Sequence, residues 1–332
     1  RALGGRAGAQ EVPTALTNLL ADARTFPAWV EPARLDRGGA AFLRAGPPGG
    51  LVLGCSSLVH GYCSPAGNKP LVFTGRLEAG ARRRLAETAR FVQAVTAPGG
   101  AHPFAPGWQA AVRVRLMHAG VRRMLLASPR WRLDAWGVPV NAFDSAGTVL
   151  LFSLIVLDGL DRLGVVTRPD ERADLLHLWR WIGHVMGVPH ELLFADEAGA
   201  RAFWDLLGST QEPPDEDARR LAHTLLDDAL APPGDGRLAR ARAHAVRGLG
   251  WAVSRRLLAP DLTRALHYPP PDRWDAVVAR WYRVNRAVTR LPSERLERGR
   301  YLAGVRYWED AVRTGLAGAP AEFAMPTRLR GA

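Results

Sequence analysis

Apolar residues recur every three or four positions along most of the sequence, the spacing that places them on one face of an α-helix. Alternation with a period of two, which indicates strands, is almost absent. Turns rich in proline and glycine separate the periodic segments, and none is long enough for a flexible interdomain linker. We therefore expect an all-α protein, with a single domain over residues 1–332 and about a dozen helices. The periodic segments are 13–24, 51–62, 79–95, 107–126, 143–163, 170–186, 199–207, 215–230, 237–258, 272–288 and 293–314.

The charge pattern does not favour a nucleic-acid partner. The formal net charge is +12, but Lys69 is the only lysine, and the arginines are spread along the chain, mostly beside Asp and Glu. There is no basic tail and no stripe of basic residues interleaved with aromatic ones. A solvated arginine-rich surface is the preferred interpretation.

The cysteines and the hydropathy exclude several further classes. Cys55 and Cys63 are the only cysteines, too few for a disulfide framework or a cysteine metal cluster. The longest apolar run, residues 147–157, is shorter than a bilayer-spanning helix, so we expect no integral membrane segment. The chain begins with Arg1, for which a removed export signal and a trimmed chain are equally good explanations, so cytoplasmic and exported locations both stay open.

The sequence lacks the common motifs of nucleotide and hydrolytic chemistry. It has no GxGxxG, no Walker loop, no GxSxG elbow and no HExxH. CxxCH is also missing, which excludes the usual covalent attachment of haem. Asp227 and Asp228 lack the third Asp that a terpene cyclase would need, and they fit a solvated helix face.

The segment 107–126, GWQAAVRVRLMHAGVRRMLL, contains the most informative histidine. At 100° per residue, His118 lies on the same helix face as Val114 and Val121. Arg115 and Arg122 lie on the shoulder of that face, two turns apart. A buried imidazole and two guanidinium groups each need a partner. Haem would provide both an iron atom and two propionates, but a core histidine satisfied by protein groups fits the periodicity as well.

Several motifs in the right order resemble one family of haem oxygenases, which contains the latex-clearing rubber oxygenases and the side-chain-cleaving oxygenase of the mycophenolic acid pathway. The resemblance covers about residues 30–200. It implies a globin-like helical core that holds non-covalent haem b, with dioxygen used to cleave a carbon–carbon double bond. His118 would be the proximal iron ligand, with Arg115 and Arg122 also binding the cofactor. The motifs are ARLDRGGAAFLRAG at 33–46, LGCSSLVHGY at 53–62, TGRL at 74–77, RRRLAETARF at 82–91, RVRLMHAGVR at 113–122, WGVPVN at 136–141 and LWRWIGHVMGVPHELL at 178–193.

The same resemblance implies that the catalytic residues on the distal side of the haem are Arg84, Thr88 and Glu87. Thr88 could equally bond to the carbonyl of Arg84, as an isolated helical threonine does. Glu87 stands where the rubber oxygenases have a lysine able to ligate iron, and a surface role fits it too. Asn68 stands where they have an acidic residue proposed as a base. We therefore expect haem binding and an apolar, isoprenoid-like substrate, with a smaller terpenoid or polyketide favoured over rubber itself.

The remaining alternatives concern ligands and chemistry. His60 is a second candidate ligand, while His177 and His184, seven residues apart, are expected to pack rather than bind metal. A haem peroxygenase, a peroxidase or a rearrangement enzyme would keep the cofactor and change the reaction. A haem carrier, a gas sensor and a scaffold without cofactor are the non-enzymatic alternatives.

Overall fold

A computed structural model describes residues 13–74, 76–229, 236–291 and 293–316, without the side chains of 76–80 and 229. Every regular element in these ranges is helical, which confirms the all-α prediction. The α-helices are α1 (Thr14–Arg24), α2 (Pro32–Ala45), α3 (Pro47–Val52), α4 (Leu58–Tyr62), α5 (Pro65–Thr74), α6 (Arg76–Thr96), α7 (Pro106–Leu126), α8 (Leu133–Trp136), α9 (Ala142–Phe152), α10 (Leu154–Arg162), α11 (Pro169–Val185), α12 (Glu197–Thr210), α13 (Glu216–Thr224), α14 (Arg237–Leu257), α15 (Pro260–Ala265), α16 (Arg273–Thr289) and α17 (Glu294–Leu316).

Helix α2 was absent from the periodic segments because glycines interrupt its pattern. Gly38 and Gly39 lie where a β-carbon would collide with the backbone carbonyls of Asp174 and Thr96. These glycines therefore mark two close helix contacts, with α11 and with α6. One of the segments rich in proline and glycine, residues 46–50, was expected to be a turn, but it forms the start of α3, where the prolines occupy the first helical positions.

Two of the predicted helices are interrupted. The segment 51–62 contains a π-helical turn, Leu53–Ser57, between α3 and α4. The segment 143–163 breaks at Ser153, whose backbone leaves the helical region with φ −120° and ψ −83°. The buried Ser153 hydroxyl donates to the carbonyl of Val149 at 2.8 Å. The break lets α9 and α10 follow different directions through the core.

Tryptophans fill the centre of the fold. Trp108, Trp179 and Trp181 are fully buried, and the indole N–H groups of Trp108 and Trp181 donate to the carbonyls of Ala23 and Ala101 at 2.8 Å. These bonds satisfy the N–H groups of Trp108 and Trp181 inside an apolar core, whereas the N–H group of Trp179 has no protein acceptor among the described residues. The first bond connects α7 to α1, and the second connects α11 to the loop between α6 and α7.

One run, Ala142–Arg162, is long and apolar enough to cross a membrane by length and composition. It comprises α9 and α10, and 67% of its apolar window is buried inside the fold. The single-domain prediction for residues 1–332 stays a prediction, since 1–12 and 317–332 lie outside the described residues.

Candidate functional site

A cavity of about 320 Å³ lies among α4, α5, α6, α7 and α9, with contributions from the end of α11. Its volume is at the lower end of the range of about 300–1,000 Å³ that is usual for ligand pockets. Most of its wall is apolar, with Phe91, Val114 and Phe152 among the lining side chains. The polar and charged lining residues are Ser57, Tyr62, Thr74, Arg84, Glu87, Thr88, His118, Asp144, Ser145 and Thr148.

The α6–α7 hairpin places residues from the two helices on facing walls. The two helices pack closely near the loop that joins them. A β-carbon added to Gly107 of α7 would lie 2.5 Å from the carbonyl oxygen of Ala94 and 2.6 Å from the α-carbon of Val95, both in α6. Because the helices run antiparallel from there, Arg84 comes opposite His118. Both side chains line the cavity. The contact at Gly107 thus determines which residues of α6 and α7 face each other across the cavity.

His118 presents an uncharged imidazole to the cavity. Burial lowers the pKa of His118 to about 4, and the positive charges of Arg84 and Arg122 contribute to the same shift. Among the described residues, no side-chain or backbone group forms a hydrogen bond with this ring. A neutral imidazole with a free ring nitrogen is the form in which histidine binds a metal ion.

The three residues expected on the distal side come together on α6. Arg84, Glu87 and Thr88 all line the cavity. The Thr88 hydroxyl donates to the Arg84 carbonyl at 3.0 Å, so its oxygen faces the cavity as an acceptor. Glu87 forms an ion pair with Arg83 at 3.2 Å, yet its side chain is only 16% exposed. Glu87 is therefore partly buried and contributes to the cavity wall, while its ion pair with Arg83 still fits the surface role considered for it.

Arg115 and Arg122 do not reach the cavity. Arg115 lies 3.4 Å from the Asp22 carboxylate and donates to the Val185 carbonyl at 3.3 Å. Arg122 donates to the carbonyls of Pro139 and Val140. The helical periodicity correctly predicted that both arginines lie beside His118. Their guanidinium groups, however, bind protein acceptors on neighbouring segments. These contacts do not support the cofactor-binding role expected of the two arginines.

The other candidate histidines have protein partners outside the cavity lining. Nδ1 of His60 lies 3.0 Å from the Ser56 carbonyl oxygen, and its ring packs edge-on against Trp204. Nε2 of His177 accepts from the Glu31 backbone N–H at 3.0 Å. His184 stacks on Trp181 with ring centroids 5.4 Å apart. These contacts agree with packing roles.

Asn68 is not among the residues that line the cavity. It is fully buried, and its amide donates to the Tyr62 carbonyl at 3.1 Å and to the Asp215 carboxylate at 3.2 Å. Lys69 pairs with Asp215 and Asp217 at 2.6 Å each. The chain's only lysine is therefore held in an ion-pair cluster and is not available as an iron ligand.

Asp144, Ser145 and Thr148 form a polar wall on α9 that the sequence reasoning missed. All three line the cavity. Their only sequence signal is the spacing of Asn141 and Asp144, which marks a helix start: the Asp144 backbone N–H donates to the Asn141 side chain at 2.8 Å. That spacing says nothing about a cavity, because the distance from α9 to α6 and α7 depends on the tertiary fold.

The cavity residues fit the chemistry that haem requires. A neutral, unpartnered imidazole can ligate iron, and the apolar side chains around it suit a porphyrin face. Arg84 provides a cationic group that could meet a carboxylate. Among the described residues no group of three metal-binding side chains occurs, so a single histidine is the available donor.

Comparison with known proteins relates this chain to a family of oxygenases. The family model described as "ER-bound oxygenase mpaB/B'/Rubber oxygenase, catalytic domain" matches residues 44–291. Compared with the range of 30–200 that the motifs cover, the match begins later and extends further towards the C-terminus. A rubber oxygenase of Streptomyces sp. (strain K30) is 26% identical over 253 residues, which are 76% of this chain. The match spans 60% of that relative's length.

The fold also has a counterpart among solved structures. The structure of latex clearing protein LCP in the closed state matches with a TM-score of 0.69, over 90% of this chain and 80% of that chain. The two sequences are 22% identical in this comparison, so the likeness concerns the fold alone.

Proposed function

This chain belongs to the family of ER-bound mpaB-type oxygenases and rubber oxygenases, and we propose that it is a haem b-dependent oxygenase acting with dioxygen on an apolar, unsaturated isoprenoid. The reaction we propose is oxidative cleavage of a carbon–carbon double bond. The observation that carries the proposal is the neutral His118 ring, which faces an apolar cavity and has no hydrogen-bond partner among the described residues.

In this proposal His118 holds the cofactor. Non-covalent haem b would supply the redox chemistry with dioxygen that amino-acid side chains lack. The low pKa of His118 keeps its nitrogen lone pair available at neutral pH. The ring is carried by α7, whose position is fixed by the close contact of Gly107 with α6.

The α6 side of the cavity provides charged groups and hydrogen-bonding groups. The Arg84 guanidinium supplies N–H donors at the cavity, which can stabilise negative charge that develops there. The Thr88 oxygen lies one helical turn further along as an acceptor. Glu87 forms an ion pair with Arg83 at 3.2 Å, which orients its carboxylate.

The apolar side chains select and shield the substrate. Phe91, Phe152 and Val121 offer surfaces that an unsaturated hydrocarbon chain can cover, and they exclude water from the reacting carbons. The relative from Streptomyces is a rubber oxygenase by name, so a polyisoprenoid is the first substrate class to test.

The test is dioxygen uptake by the haem-loaded protein with a panel of isoprenoids, followed by mass spectrometry of the products made under ¹⁸O₂. We expect uptake that depends on the alkene and yields labelled carbonyl products. His118→Ala should lose this activity, whereas the surface variant Asp205→Asn should keep it. Oxidation driven by hydrogen peroxide without dioxygen uptake would contradict the proposal and favour a peroxygenase.

A further inference from the structure

The polar wall on α9 consists of hydrogen-bond acceptors. The Ser145 hydroxyl donates to the Asn141 carbonyl at 2.7 Å, and the Thr148 hydroxyl donates to the Asp144 carbonyl at 2.8 Å. Each hydroxyl proton is therefore engaged with the helix backbone, and what remains toward the cavity is the oxygen lone pairs.

The Asp144 carboxyl adds a stronger acceptor to the same wall. Its Oδ2 accepts from the Asn141 side-chain amide at 2.8 Å. Within the described part of the chain, no donor reaches its Oδ1. Burial raises the pKa of Asp144, and the Asn141 amide opposes that rise. A cavity-lining carboxyl oxygen without a donor has a desolvation cost that a ligand can relieve.

These acceptors call for a donor on the ligand, and the surroundings favour a neutral one. The other carboxylate in the lining, Glu87, is already paired with Arg83, and the mostly apolar remainder of the cavity makes the desolvation of an ammonium group costly. A carboxylate would meet only acceptors on α9. An alcohol offers one O–H donor without a charge, and the apolar remainder of the wall accommodates a hydrocarbon chain.

We propose that Asp144, with Ser145 and Thr148 beside it, binds a hydroxyl group of the substrate, which is therefore a terpenoid alcohol rather than a plain hydrocarbon. This inference rests on the proposed function, since it names the substrate class of the same cavity. It also explains a feature that a pure hydrocarbon substrate would leave without use, namely three neighbouring polar side chains on the α9 wall of a mostly apolar cavity.

The experiment compares geraniol with myrcene, a hydrocarbon with the same number of carbons, by calorimetric titration of the haem-loaded protein. We expect geraniol to bind about 10-fold more tightly, as one hydrogen bond to a carboxyl group allows. Asp144→Leu should remove most of that preference while leaving the affinity for myrcene within about 2-fold. Asp205→Asn removes an exposed carboxylate from α12 and should change neither affinity.

Asp144→Leu also removes the contact with Asn141, so Thr148→Val serves as a milder second variant and should reduce the preference in part. Equal binding of the two compounds, binding of neither, or a preference unchanged in both variants would overturn the proposal. Haem content and dioxygen uptake are measured separately. A preference for geraniol without dioxygen uptake would support the hydroxyl site and contradict the oxygenase. Dioxygen uptake together with equal affinities for geraniol and myrcene would contradict the hydroxyl site but not the proposed oxygenase function.

Discussion

Thr88 illustrates how one side chain serves both the helix and the cavity. Its hydroxyl bonds to the Arg84 carbonyl, as expected for a helical threonine, and its oxygen still lines the cavity. The structural and the functional interpretations of Thr88 are therefore compatible. The same holds for Glu87, which pairs with Arg83 and also contributes to the wall.

Thr88→Val should slow turnover and leave haem content unchanged. Valine has nearly the same shape but lacks the oxygen, so the packing of α6 is kept while the polar atom is lost. The check is steady-state dioxygen uptake together with the haem-to-protein ratio. Normal turnover in the Thr88→Val variant would remove Thr88 from the proposed site.

The ferric resting protein should have five-coordinate iron or water as the sixth ligand. Glu87 offers a carboxylate held by Arg83, and the only lysine, Lys69, is bound to Asp215 and Asp217. His118 is the only imidazole among the described lining residues. Electron paramagnetic resonance should therefore give a high-spin signal. A low-spin signal from two nitrogen ligands would show that a second side chain, such as His60, binds the iron.

At the scale of elements, the α6–α7 hairpin determines the site. Gly107 lets the two helices touch at one end, and the cavity lies further along between their facing residues. The glycine matters here because backbone atoms of α6, which cannot move aside as a flexible side chain can, lie where its β-carbon would be.

Gly107→Ala should destabilise the protein by about 1–3 kcal/mol through overpacking against α6. Gly208, exposed on α12 with nothing within 4 Å of the β-carbon that alanine would add, provides the control: Gly208→Ala should stabilise by about 0.5–1 kcal/mol. Urea denaturation measures both free energies of unfolding. Equal effects of the two substitutions would mean that α6 and α7 are less closely packed at Gly107 than this contact requires.

Sequence periodicity located the long helices well but could not place them in space. The helix at 107–126 and the face that carries His118 follow directly from the spacing of apolar residues. Helix α2 was missed because its two glycines serve contacts with α11 and α6, and such contacts leave no periodic signal. The α9 wall was missed for the same kind of reason: Asp144 becomes a cavity residue only through the packing of distant helices.

At the scale of the molecule, three histidines are held uncharged in the interior. Burial lowers the pKa of His60, His118 and His177 to about 4 in each case. Their ordinary value is 6.5, so the unfolded chain binds protons at a pH where the folded protein does not. Stability is therefore fully present above pH 6.5 and falls as the pH decreases towards 4.

Between about pH 7 and pH 5, the free energy of unfolding should drop by about 2 kcal/mol for a histidine whose pKa falls from 6.5 to about 4 on folding, such as His60. His177 is also buried, and its lowered pKa contributes to the drop in the same direction. Urea denaturation at the two pH values measures the drop, and His60→Phe should reduce it. A pH dependence that is identical in the variant would show that the pKa of His60 is the same in the folded and the unfolded protein.

The most direct test of His118 as the iron ligand is the haem content of the protein and of its His118→Ala variant, determined from the Soret band and the pyridine haemochrome after reconstitution with haem b. We expect about one haem per chain for the unmodified protein and for His60→Ala, whose ring lies outside the cavity lining. His118→Ala should lose most of it. A protein without a Soret band after haem addition, or full retention in His118→Ala, would contradict the assignment of His118 as the iron ligand.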